Sequence, residues 1–203
     1  MKFEHYQKKL LESEAYKQFK KENPKSYLCA GFFVLDFETG KHMHQLDYIF
    51  KEKKIATFSL DEGVKMNISS MPLKKKLPEI KEIVQTDLEA LKGIVEDEMK
   101  NRTITDNIKK IIAVLQIVDG KTTWNLNCIT DNLNVLQVHI DDADRTILKF
   151  MKYSIMELVK TMPGSMNMPK NIKVNAATAA ASKAAIPKPE PQAAPAEEAA
   201  EEE

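Results

Sequence analysis

"VLDFETGK" at residues 34–41 and "VLQIVDGK" at 114–121 are nearly the same hairpin written twice, eighty residues apart. Sliding the chain by 80 aligns 33–63 with 113–143 without a gap. The identities are Val34/Val114, Leu35/Leu115, Gly40/Gly120, Lys41/Lys121, Leu46/Leu126, Ile49/Ile129 and Asp61/Asp141. The period around them says more than their number. His44, Leu46 and Tyr48 match Trp124, Leu126 and Cys128, with polar alternates Gln45 and Asp47 against Asn125 and Asn127. Further on, Ala56, Phe58 and Leu60 match Leu136, Val138 and Ile140, again with polar alternates. Period two marks strands, and one apolar row beside one polar row marks antiparallel sheets with a single buried face. Gly40 and Gly120 stand where a tight hairpin needs a positive φ.

Working outward, a helical pattern precedes each trio of strands. Residues 3–22 place Phe3, Tyr6, Leu10 and Phe19 on one side, and Pro24 ends the run. Residues 78–100 align Ile80, Val84, Leu88, Leu91, Val95 and Met99. A closing helix is expected over 144–161 on Ile147, Met151, Ile155, Leu158 and Met162, with Asp141, Asp142 and Asp144 as its caps. The expectation is an α+β protein of two tandem helix-plus-three-stranded antiparallel repeats, a closing C-terminal helix and a disordered tail. The boundaries are 1–70, 71–162 and 163–203. The last segment is rich in Ala, Pro and Glu, has no aromatic residue and ends in an acidic run. It reads as a solubilising tail or as a docking arm for a basic partner.

Composition narrows the function. The 203 residues hold 30 Lys and Arg against 30 Asp and Glu, a net charge of zero. A neutral chain gives no whole-molecule attraction to nucleic acid or to an anionic membrane, and neither is expected as a partner. No apolar run is long enough to span a bilayer, and the N-terminus has no secretory h-region. Two cysteines, Cys29 and Cys128, are too few for a disulfide framework, which points to the cytoplasm.

The helix-plus-meander in tandem resembles cystatin-like folds, including PepSY and beta-lactamase-inhibitor-type tandems. That likeness implies a topology and no activity. The stretch from "IIAVLQIVDGK" to "MEL" (111–158) is also similar to roadblock/longin-type modules. "SEAYKQFKKENPKSYLCAGFFVLDFE" (13–38), followed by "HQLDYIF" and "KKIATFSLD", resembles uncharacterised proteins of small-genome archaea, over about residues 10–162. It implies no activity either.

Few residues suggest chemistry. His42 and His44 share a strand face, but a tetrahedral metal site needs further ligands. Cys29 and Cys128 lack a neighbouring base in the sequence and read as small core residues. Lys74, Lys75 and Lys76 read as a solvated linker. Met162, Met166 and Met168 suit either an irregular core edge or an adaptable binding surface. No catalytic residue, cofactor or metal is expected. The candidate interface is an apolar stripe, Phe32, Val34, Ile49, Ile112, Val114 and Ile129, rimmed by Gln45, Asp47, Asn125, Asn127, Gln137 and His139. The expected role is a non-enzymatic protein-binding or assembly module, self-associating as a homodimer through sheet faces or edges. The alternatives are a holdase for unfolded chains and an enzyme of unknown type.

Overall fold

The computed structural model describes residues 2–51, 54–70, 77–81 and 84–154. Two helices come first, α1 (Phe3–Glu12) and α2 (Glu14–Glu22). Strands β1 (Tyr27–Asp36), β2 (His42–Phe50), β3 (Lys54–Ser59) and β4 (Lys65–Ser70) follow. After α3 (Leu88–Asn101) come β5 (Ile108–Val118), β6 (Lys121–Thr130), β7 (Asn134–Asp141) and β8 (Ile147–Ser154). The eight strands form one antiparallel sheet in the order β4-β3-β2-β1-β5-β6-β7-β8.

This overturns the expectation of two separate helix-plus-three-strand units. β1 pairs directly with β5, Phe33 opposite Ala113 and Gly31 opposite Leu115, so one sheet runs through both halves. Each half has four strands. The closing helix of 144–161 is absent over its described part, because Ile147–Ser154 is β8, paired to β7. A helix there would have left the outer backbone groups of β7 without a ladder partner. Residues 3–22 are two helices because Ser13 interrupts them: its hydroxyl accepts from Tyr16 N at 3.2 Å and caps α2. The helix expected from 78 starts only at Leu88. Ile80 and Val84 are still buried, in a segment tied to the sheet by Ile80 N donating to Leu28 O at 2.9 Å.

All three helices lie on one face of the sheet. Their buried residues Phe3, Tyr6, Leu10, Tyr16, Phe19, Leu88, Leu91, Val95 and Met99 share a core with Phe33, Leu46, Phe58, Leu115, Trp124, Leu126 and Val138. Burial of each large apolar side chain contributes roughly 1.5–3 kcal/mol before conformational entropy is set against it. Glycine is required at the hairpin tips: Gly40 has φ 68° and Gly120 has φ 82°.

Two backbone hydrogen bonds fix which groups point where along the sheet. Leu60 N donates to His44 O at 2.9 Å, and Phe37 N donates to Lys109 O at 2.9 Å. In an antiparallel pair such bonds alternate along the ladder. Even-numbered residues of β2 therefore face β3, and odd-numbered residues of β3 face β4. On β4, Lys65, Asn67 and Ser69 are turned towards β3, while Met66, Ile68 and Ser70 present their N–H and C=O groups outward.

Candidate functional site

The twelve residues of the expected interface do share a face, the one opposite the helices. They form rows across the sheet, such as Gln45–Phe32–Val114–Asn125–His139. None of them is exposed: Ile49 is 3% exposed, Val114 is 4% exposed, and the other ten are half-buried. At one end Cys29, Ala30, Ile49 and Ile55 form a small second core with Tyr27 and Leu77.

Polar groups on this face are mostly engaged with one another. Thr57 Oγ1 donates to Asp47 Oδ1 at 2.7 Å, and the Cys29 thiol donates to Asp47 O at 3.3 Å. Lys149 Nζ donates to Gln137 Oε1 at 2.9 Å. Burial raises the Asp47 carboxyl to about 6 against the Thr57 hydrogen bond, which acts to lower it. His139 is shifted down by burial and by Lys149. Asn125 Nδ2 is buried without a hydrogen-bond partner among the described residues.

The exposed large apolar side chains lie elsewhere. Of the eight among the described residues, four sit on the two outermost strands: Met66 and Ile68 on β4, Leu148 and Met151 on β8. Every residue of β4 is exposed. Neither outer strand has a further strand beside it among the described residues, so both backbones end the ladder. Sequence reading missed β4 entirely and took β8 for a helix. The missing signal was weak, because "KMNISS" has no charge after Lys65 but only two apolar residues.

The histidine pair is divided by the fold. His44 is buried against α1: Tyr6 Oη donates to His44 Nε2 at 2.8 Å, and His44 Nδ1 donates to Asp61 Oδ1 at 2.5 Å. Asp61 also accepts from His44 N at 3.0 Å, so it fixes both the ring and the strand end. Burial, with Asp61 and Glu89, raises the Tyr6 phenol, which therefore stays a neutral donor. The relay has the order of a catalytic triad, but its terminal hydroxyl is buried and spent on the imidazole. His42 is exposed, and the described residues contain no group of three metal-ligating side chains.

The aspartates of "HIDDAD" are not helix caps, since no helix starts there. Asp142 instead accepts from Trp124 Nε1 at 2.8 Å, Thr86 N at 3.0 Å and Gln85 N at 2.7 Å. It ties the segment before α3 to the sheet. Asp141 holds Lys121 at 2.7 Å. Asp144 accepts from Thr146 N at 2.9 Å within the turn. Cys29 and Cys128 are buried free thiols, and burial pushes Cys128 up to about 12. Both are poor nucleophiles in that state. A shallow depression beside the end of α3 is lined by two carboxylates, Glu96, which pairs with Lys92 at 3.5 Å, and Asp106. Asn132, Asn134, Thr130 and Lys152 saturate Asp106, and the amide and lysine bonds lower it to about 2. Lys74–Lys76, Met162, Met166, Met168 and the acidic tail lie outside the described residues.

No family model matches the chain, and no curated protein matches it. A solved structure described as a "putative lipoprotein" from Clostridium difficile 630 overlaps it with 13% identity and a TM-score of 0.47. The overlap covers 69% of this chain and 91% of that one. Among the described residues no helix is long and apolar enough to cross a membrane.

Proposed function

We propose that this chain is a non-enzymatic protein-binding or assembly module that associates through the outer strands of its sheet. The observation that carries the reading is β4: six residues, all exposed, at a sheet edge that no strand pairs among the described residues, with Met66 41% and Ile68 50% exposed. A bare edge of this kind is a template for another strand, and natural sheets that avoid pairing guard it with charge, proline or a covering element. Residues 66–70 have neither charge nor proline. The engagement of His44, Asp61, Asp106 and Asp142 in hydrogen bonds within the fold also favours a structural use of these polar residues over a catalytic one. Two buried free thiols suit a reducing cytoplasm.

Light scattering on the full chain across a hundredfold range of concentration tests this. The reading expects mass to rise with concentration, or a cytosolic protein to be retained on the immobilised chain and lost when Ile68→Lys places a charge on the edge. A monomer throughout, together with retention that ignores Ile68→Lys, contradicts it.

A further inference from the structure

The two ends of the sheet are unequal, and the inequality names both the docking edge and its occupant. On β8 the outward backbone belongs to Leu148, Phe150 and Lys152, by the same alternation that fixes β4. Cations flank that edge: Lys152 is held 3.1 Å from Asp106, Lys149 is fixed on Gln137, and the Arg102 guanidinium lies 4.5 Å above the Phe150 ring. Lysines on an outer strand are the usual guard against a further strand. β4 has one lysine, at its first residue, turned towards Glu62 at 3.2 Å.

From this asymmetry, and resting on the assembly reading above, we infer that the partner is a second copy of this chain, paired β4 to β4 about a two-fold axis through Asn67. Only outward-facing residues can exchange ladder bonds with a new strand, which leaves Met66, Ile68 and Ser70. Antiparallel pairing centred on Asn67 sets Met66 opposite Ile68 of the other copy, twice, as hydrogen-bonded pairs. Val64 then meets Ser70, Lys65 meets Ser69, and no like charges oppose. Met66 and Ile68 pair with Phe58 and Ala56 on the helix-covered face, so the helices of both copies lie on the same side of one continuous sheet. Their exposure is then explained, because each covers its counterpart on the other copy. Asn67 opposes itself as a non-hydrogen-bonded pair, where Cα atoms approach to about 4.5 Å. A six-residue edge buries less than the ~1,200 Å² of a standard interface, so the dimer is weak and concentration-dependent.

The geometry sets its own test, on the full chain with its two buried cysteines in place. Asn67→Cys lies at the axis at a spacing a disulfide can bridge. Mild oxidation is expected to convert it to a covalent dimer, with Ile68→Cys and the unsubstituted chain staying largely monomeric in denaturing gels. Ile68→Pro removes an outward N–H and none that bonds β3, a place where an edge strand accepts proline. It should weaken dimerisation about tenfold or more, since two bonds are lost per dimer, while the thermal unfolding of the monomer stays in place. A dimer that survives Ile68→Pro, or that cross-links at Ile68→Cys and not at Asn67→Cys, overturns the edge and register and leaves the assembly reading standing. A chain that stays monomeric at every concentration overturns the self-pairing outright, and the assembly reading then rests on capture of another protein.

Discussion

In the first half of the sheet Leu46 pairs with Phe58; in the second Leu126 pairs with Val138, on the same face and at the same distance along the chain. The neighbouring strands differ by an even step. Leu46 faces Gly31, whereas Leu126 faces Ala113, so β1 and β5 are offset by two residues relative to a shift of 80. The turns account for it. β1 and β2 are joined by residues 37–41, whereas Asp119 and Gly120 alone join β5 and β6. A slip of two keeps every side chain on its own face, and a slip of one would turn the core row into solvent. The inner strands therefore tolerate different loops as long as the parity of the ladder holds.

The halves differ more in what covers them. Over the first, Tyr16 and Phe19 of α2 meet Tyr48, Phe50 and Phe58 in edge-on contacts, such as Phe19–Phe50 at 5.2 Å. Over the second, the aliphatic side chains Leu91 and Val95 of α3 lie in a core with Trp124, Leu126 and Val138. The rims differ again, with β8 pinned by Lys149 and Lys152 and β4 bare. Substitutions that act on one half alone sharpen this contrast.

The largest expected effect is at Trp124, fully buried and hydrogen-bonded to Asp142. Trp124→Ala should cost about 3–5 kcal/mol in urea unfolding. Asp142→Ala comes next at roughly 3 kcal/mol, because it strands a buried indole N–H and two backbone N–H groups. Each should lower the midpoint for the whole chain, since one sheet joins the halves; loss of β5–β8 alone would break the account.

Asp47 supplies a pH signature for the first half. Its folded value near 6 lies above the usual carboxylate range, so the protonated form favours the folded state. That contribution is complete below about pH 4 and is lost as pH rises through 6. Asp106 works in the opposite sense and loses its contribution only as pH falls towards 2. Asp47→Asn should thus stabilise the protein at pH 8 by on the order of 2 kcal/mol and change little at pH 4. Urea midpoints at both pH values check it, and an equal shift at both would count against burial as the cause. The smallest effect is at the guarded rim. Lys152→Ala should cost below about 1 kcal/mol, because Asp106 keeps Asn132 and Asn134.

The inner strands were legible because their rows alternate cleanly: Leu46, Tyr48, Leu126 and Cys128 against Asp47 and Asn127. The outer ones were not. β8, "ILKFMKYS", spaces Ile147 and Met151 four apart, which fits a helix as well as a strand. Only the need of β7 for a partner decides it, and that need is tertiary. The late start of α3 is tertiary too, since Asp142, more than fifty residues away in the chain, claims the N–H groups of Gln85 and Thr86. The twelve face residues share the parity that puts them on one face, but their burial could not be read from alternation, and the exposed edge lay in a strand with almost no apolar signal.

The pairing of β1 with β5 is what makes the two halves one molecule, and it has a direct reporter. Phe32 and Val114 are opposed as a non-hydrogen-bonded pair at the centre of that ladder, where Hα atoms come closest. A strong Hα–Hα nuclear Overhauser effect between them in the full chain at low concentration is the expected result. Its absence, with the non-hydrogen-bonded pairs Phe33–His44 and Leu115–Trp124 still giving theirs, would mean two sheets where this account has one.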